Sequence, residues 1–172
     1  MTVKRTVANI AADRIAIALV TEATDDVRAL IGELEQILSA EYPPEQRHGL
    51  PLEALFQPEI RFFLASIDGA AVGCGGVALF ADYAEVKRMY VRQKFRGRGV
   101  AQALLDRIES EARATGLGLL RLETGTRQIA AIRFYRRAGF QICAAFGAYS
   151  AMAPEAIATS VFLEKRVAAL AR

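Results

Sequence analysis

A chain of 172 residues with 53% hydrophobic and 24% charged content is long enough to close one sizeable core and too apolar to stay disordered. Its formal charge of +3 is modest, and its two cysteines, Cys74 and Cys143, stand in apolar segments at a spacing that matches no metal site. These features exclude a disulfide-stapled scaffold and a zinc module, and no stretch is apolar enough over sufficient length to span a bilayer.

Residues 1–14 read as an N-terminal extension. Lys4 and Arg5 precede an apolar stretch as in a secretion signal, but Asp13 and Arg14 interrupt it and no cleavage site follows. The remainder, 15–172, is expected to form a single domain. Ile15 to Thr21 reads as a first strand. Asp25 to Ser39 reads as a helix opened by Thr24 or Asp25, with acids in the first turn, where the helix dipole favours them. Tyr42-Pro43-Pro44 breaks it. Residues 45–58 are expected to be a loop carrying a short helix at Leu52 to Phe56, placed as a lid over the site that the next strands build. His48 within it reads as solvated or structural, with a proton relay as the alternative.

Arg61 to Ile67 and Ala71 to Phe80 form two strands around Asp68-Gly69, a hairpin signal. Glu85 to Val91 is the next strand. Gly99 to Thr115 follows as a helix with Val100, Leu104, Leu105, Ile108 and Ala112 on one stripe and Gly116 as its stop. Leu117 to Thr124 reads as a strand, Gln128 to Ala138 as a helix, Phe140 to Phe146 as a strand, residues 147–159 as a surface loop, and Ser160 to Arg166 as the last strand. Hairpins followed by strand-helix-strand units predict an α/β (α+β) architecture, a mixed sheet flanked by helices.

Residues 91–105, V-R-Q-K-F-R-G-R-G-V-A-Q-A-L-L, run from a strand end through a basic turn into an amphipathic helix. A helix start exposes unpaired N–H groups and partial positive charge, so anions settle there. Gly97 and Gly99 let the backbone approach a ligand, and Lys94, Arg96 and Arg98 add charge, which together make a diphosphate cradle. A Rossmann fingerprint would need a third glycine at Gln102, and a Walker A loop would need Gly-Lys-Ser/Thr at its end. Neither is present. The turn resembles the R/Q-x-x-G-x-G/A motif of the GNAT acetyltransferases, filled by Arg96, Gly99 and Ala101.

Two further stretches carry the same resemblance. Q-I-A-A-I-R-F-Y-R-R-A-G-F places Gln128, Ala131, Ile132 and Tyr135 along one side of a helix that Gly139 ends. It is similar to the family's N-x-x-A-x-x-x-Y-x-x-x-G-F helix, with Gln128 where asparagine is common. In A-E-V-K-R-M-Y-V, Glu85 stands six residues before Val91, the offset of a general base in several GNAT enzymes. On residue type alone, Glu85 caps a strand end or pairs with Lys87 on the same face, and Tyr135 is a core aromatic with a bonded hydroxyl.

The resemblance, carried by about residues 59–147, implies the GNAT fold, a twisted and mostly antiparallel mixed sheet of six to seven strands. It implies acetyl-CoA as cosubstrate and no metal. Met89, Tyr90, Val91, Arg96, Gly97, Arg98, Gly99, Val100, Ala101 and Gln128 would hold the cofactor, Glu85 would be the base, and Tyr135 would protonate the departing sulfur. The implied reaction is N-acetylation of a primary amine on a small molecule, an amino acid or similar amine. Glu85 and Glu123 would attract a cation and Lys87 a carboxylate. The alternatives are a non-catalytic acyl-CoA-binding regulatory module and an acetyltransferase of protein N-termini or lysines.

The basic residues from Lys87 to Arg98 and the trio Arg133, Arg136 and Arg137 have no interleaved aromatics to stack bases, so no nucleic-acid partner is expected. No membrane partner is expected either, and a homodimer is left open. Reading both cysteines as reduced core thiols places the chain in the cytoplasm.

Overall fold

The computed structural model describes residues 14–168. Seven strands form one mixed sheet in the order β1-β2-β3-β4-β5-β7-β6. They are β1 (Ile15–Val20), β2 (Ile60–Ile67), β3 (Ala70–Leu79), β4 (Ala84–Val91), β5 (Leu119–Gly125), β6 (Gln141–Ile142) and β7 (Ser160–Arg166). The helices are α1 (Asp25–Glu41), α2 (Val100–Ala114) and α3 (Ile129–Arg137). All neighbours pair antiparallel except β4 and β5. The expected extension, residues 1–14, lies outside the described residues apart from Arg14. No helix among the described residues is long and apolar enough to cross a membrane.

Local signals act where the residues place them. The Thr24 hydroxyl caps α1 by accepting from the Val27 N–H at 3.3 Å. At the hairpin between β2 and β3, Asp68 and Gly69 take φ of 50° and 81°, the pair of left-handed residues that a tight type I′ turn requires. Helix α1 packs Val27, Leu30 and Ile31 against Phe62, Ala71 and Cys74. Helix α2 lays its stripe of Val100, Leu104, Leu105, Ile108 and Ala112 against Phe63, Val72, Val86 and Leu122. Phe62 and Phe63, like Ala71 and Val72, are consecutive, so the two helices cover opposite faces of the sheet. Leu104 is fully buried in this second core. Leu104→Ala is expected to cost about 2–5 kcal/mol, read as a lower urea midpoint at unchanged slope.

Two irregularities shape the middle of the sheet. The register between β3 and β4 passes from Cys74↔Tyr90 to Gly76↔Lys87, so Gly75 faces both Arg88 and Met89. This is a β-bulge, with Arg88 at φ 55°. The extra residue shifts the alternation: Val86 and Val91 both reach the α2 core, while Tyr90 joins the α1 side. The second irregularity is a parting of strands. Strand β5 pairs with β7 along its whole length but with β4 only at Ala84↔Leu120 and Glu85↔Arg121. From Val86 onward the sheet is open between β4 and β5.

Three expectations are corrected. The strand read over Phe140 to Phe146 pairs only at Gln141–Ile142, because Phe146 turns in to pack on Tyr83, Tyr149 and Phe162. The segment 147–159 is not only a surface loop, since a 3₁₀ turn at Gly147–Ala151 buries Tyr149. Cys74 is a free core thiol, and burial pushes it up to about 12. Cys143 is free but only partly buried.

Candidate active site

The strand-turn-helix segment ends in a helix start whose first amides make no intrahelical bond. Beyond β4, one 3₁₀ turn at Gln93–Phe95 leads to Gly97 and Gly99, whose φ values of 76° and 86° would strain a residue bearing a Cβ. The Ala103 N–H is the first in α2 to reach a helical carbonyl, Gly99 O at 3.0 Å. The N–H groups of Val100, Ala101 and Gln102 therefore have no partner within the helix. Arg96 Nε donates to Val91 O at 3.1 Å and fastens the turn to the strand. Lys94 and Arg98 lie over the Phe95 ring at 5.1 and 5.4 Å.

The turn and the start of α2 edge a cavity of about 500 Å³. Met89, Tyr90 and Val91 line it from β4, Arg96, Gly97, Gly99, Val100 and Ala101 from the turn, and Gln128 and Tyr135 from α3. Arg98, expected in the same set, is not among its walls. Tyr90 lines it while its hydroxyl donates to Glu33 Oε2 at 3.1 Å. Gln128 Nε2 donates to Glu41, so its amide latches α3 to the end of α1. Unpaired helix amides, the cations Arg96 and Arg137, and a cavity of this size fit a nucleotide diphosphate with an extended arm.

A second cavity, about 130 Å³, lies across the opening between β4 and β5. Leu34, Met89, Gln128, Ala131 and Tyr135 line both cavities, so the two meet at the tyrosine. Burial alone pushes the Tyr135 hydroxyl up, which keeps it protonated at any physiological pH.

Charged groups dominate the smaller cavity. Glu85 is 3% exposed, and its Oε1 accepts from Lys87 Nζ at 2.6 Å and from Tyr149 OH at 2.7 Å. Lys87 also donates to Tyr149 OH at 2.8 Å. The pairing of Glu85 with Lys87 that the strand alternation allowed is present, because the bulge begins one residue beyond them. Lys87 is thereby committed and does not stand free for a carboxylate. Across the gap, Glu123 on β5 accepts from Ser160 Oγ at 2.7 Å. Burial pushes its carboxyl up despite that bond. Burial, followed by the Glu85 charge, likewise pushes the Tyr149 phenol up.

The loop expected as a lid divides in two. Gln46, Arg47, His48 and Gly49 line the smaller cavity. The helix at Leu52–Phe56 instead buries Leu55 against the α1 core. His48 is held, with Nε2 2.8 Å from Ala156 O and its ring edge-on to Tyr149. Tyr149, Tyr42, Arg47 and Arg88 are cavity residues that were not among the candidate site residues. For Tyr149 the aromatic in F-G-A-Y was the available signal, and Arg88 is hidden by a bulge that no pattern announces.

A sheet parted beside a helix start with unpaired amides, and a tyrosine lining both a larger cavity and a smaller charged one, fit an acyltransferase that uses an acyl-CoA. The profile of the Acetyltransferase (GNAT) family matches residues 31–140. The chain is 45% identical over 143 residues to the IAA acetyltransferase of Azospirillum brasilense, covering 82% of this chain and 90% of that one. A crystal structure from Klebsiella pneumoniae, named for the acyl-CoA N-acyltransferases, superposes with a TM-score of 0.70 at 31% identity, covering 89% of this chain and 97% of the other. The PaiA N-acetyltransferase of Thermoplasma acidophilum, solved with coenzyme A, shares the fold at a TM-score of 0.63 and 17% identity, over 88% of this chain and 99% of that one. The protein belongs to the GNAT family and is an N-acetyltransferase.

Proposed function

We propose that this protein transfers an acetyl group from acetyl-CoA to the primary amine of a small molecule, an amino acid or similar amine. The observation that carries this reading is the meeting of the two cavities at Tyr135, where β4 and β5 part. The amides of Val100, Ala101 and Gln102, with Gly97 and Gly99, would hold the pyrophosphate, and Met89 to Val91 would flank the arm. When bound, acetyl-CoA supplies an acyl carbon activated as a thioester. A cavity of about 130 Å³ walled by Tyr149 and residues 46–49 suits a small acceptor better than a polypeptide.

The residues divide the proton work. An alkyl amine titrates near 10.4 in water and arrives charged, so a base must take its proton. Glu85, with two donors on one oxygen, would draw the ammonium in. Glu123, pushed up by burial, is the carboxylate better matched to accept the proton. N–H groups on the open edge of β4 near Met89 and Val91 would face the carbonyl oxygen as it gains charge. Tyr135 gives a proton to the departing sulfur, a thiolate of pKa about 8.5 that leaves better neutral.

Free-thiol release measured across an amine panel tests the proposal. Acceptor-dependent release is the expected result. Coenzyme A binding without such release would leave a non-catalytic acyl-CoA module, and release only with peptides would move the acceptor to proteins.

A further inference from the structure

Three cations, Arg47, Lys87 and Arg88, and two carboxylates, Glu85 and Glu123, line the smaller cavity. Arg88 and Arg47 both line it, and both lean on one carboxylate of α1. Arg88 Nη2 pairs with Glu35 Oε1, and Arg47 Nη1 lies 3.5 Å from Glu35 Oε2. Two guanidiniums thus share one counter-charge. The Nε atoms of both are buried without a hydrogen-bond partner. The Arg88 side chain is only 4% exposed, so its orphaned donor sits in a nearly closed setting. A buried donor left unmade costs about 1–3 kcal/mol and is rare in native proteins.

The backbone is arranged to produce this. Arg88 is the extra residue of the bulge and holds φ 55°, a left-handed angle that a long side chain adopts only under constraint. Gly49 makes room for it, since a Cβ there would collide with Arg88 Nη1. Backbone strain and a glycine contact hold Arg88 against a cavity that Arg47, Glu85 and Glu123 also line. Lys87, the other cation, is held by Glu85 and Tyr149.

We infer that Arg47 and Arg88 form an anion subsite and that the acceptor is a zwitterion, its amine toward Glu85 and Glu123 and its carboxylate or phosphonate on the two arginines. An oxyacid presents paired oxygens to the N–H donors of a guanidinium, the geometry that arginine serves best. Glu35 fixes the two guanidiniums from behind while leaving one positive charge uncompensated. This inference rests on the amine-acetylation reading for its substrate, but not for the subsite itself.

Two measurements keep these apart. The first is titration calorimetry of methylphosphonate and acetate into the protein saturated with coenzyme A. Saturable heat is expected for the wild type and none for Arg88→Gln or Arg47→Gln, with circular dichroism melts confirming that each variant is folded. Arg47, the more exposed of the two, serves should Arg88→Gln fail to fold. The second compares kcat/KM for matched acceptors, α-amino acids beside their carboxamides and 2-aminoethylphosphonate beside ethanolamine. The anionic member is expected to win by about ten- to hundredfold, through KM, with the ratio collapsing in either variant and partly returning in Arg88→Lys. No saturable heat in the wild type, or equal use of anionic and neutral members, overturns the subsite. Heat that the arginine variants abolish, with no thiol release from any amine, supports the subsite and overturns the amine-acetylation reading instead.

Discussion

Tyr135→Phe is expected to lower kcat by about a hundredfold to ten-thousandfold while coenzyme A affinity holds. The substitution is close to a pure deletion of the hydroxyl. Tyr135 is 6% exposed, and its ring is fixed by edge contacts to Phe134 and Phe140 at centroid distances of 5.2 and 5.4 Å, which phenylalanine keeps. On the proposed reading the nucleotide would be held mainly by the α2 amides and the Arg96 turn, away from the hydroxyl. Steady-state thiol release and coenzyme A calorimetry separate the two effects. An unchanged rate would remove Tyr135 from the mechanism, and a fall in affinity of the same size as the fall in rate would make it a binding residue only.

What was legible in the chain is what local chemistry decides. The α2 stripe lies on the core face as its spacing required, because a 3.6-residue period commits those five side chains to one side wherever the helix docks. The same holds for the Asp68-Gly69 turn and the Leu52–Phe56 helix. The path of the Arg96 to Ala101 turn was legible too, with Gly97 and Gly99 at positive φ, because it is set by local residues alone. Residues whose role depends on distant partners were hidden. Tyr149 meets Glu85 across a separation of 64 positions, and that contact turns a strand carboxylate into the centre of a hydrogen-bonded group. The bulge at Arg88 was equally hidden. Plain alternation would send Arg88 to the same side as Val86, and only the extra residue, admitted opposite Gly75, turns it toward Glu35.

Gln128 shows the middle case. Its place at the head of α3 was legible, and it does line both cavities. Its amide nevertheless goes to Glu41. The neighbouring Arg127 N–H donates to Tyr42 OH at 2.8 Å. The end of α1 is thus tied twice to the turn before α3, which fixes the tyrosine helix over the opening in the sheet. A side chain longer than asparagine by one methylene can make that tie.

The two carboxylates should part under pH and thermal analysis. The native state holds the Glu123 proton more tightly than an unfolded chain does, because burial raises that carboxyl from 4.5. Its base form is therefore lost as pH falls through a value above the ordinary carboxylate range, and kcat/KM should show an acidic limb there. Glu123→Gln should abolish the limb and lower the rate by about a hundredfold to ten-thousandfold. Stability should move the other way. A carboxyl with a raised folded value favours the fold below its unfolded value, and that advantage disappears as pH rises through the folded one. An uncharged glutamine escapes this loss, so Glu123→Gln should melt higher than the wild type at neutral and alkaline pH. Glu85→Gln should melt lower, because it strips the counter-charge from Lys87, whose side chain is 12% exposed. If the limb survives in Glu123→Gln and disappears in Glu85→Gln, the base is Glu85, and the raised Glu123 serves only to shape the acceptor cavity.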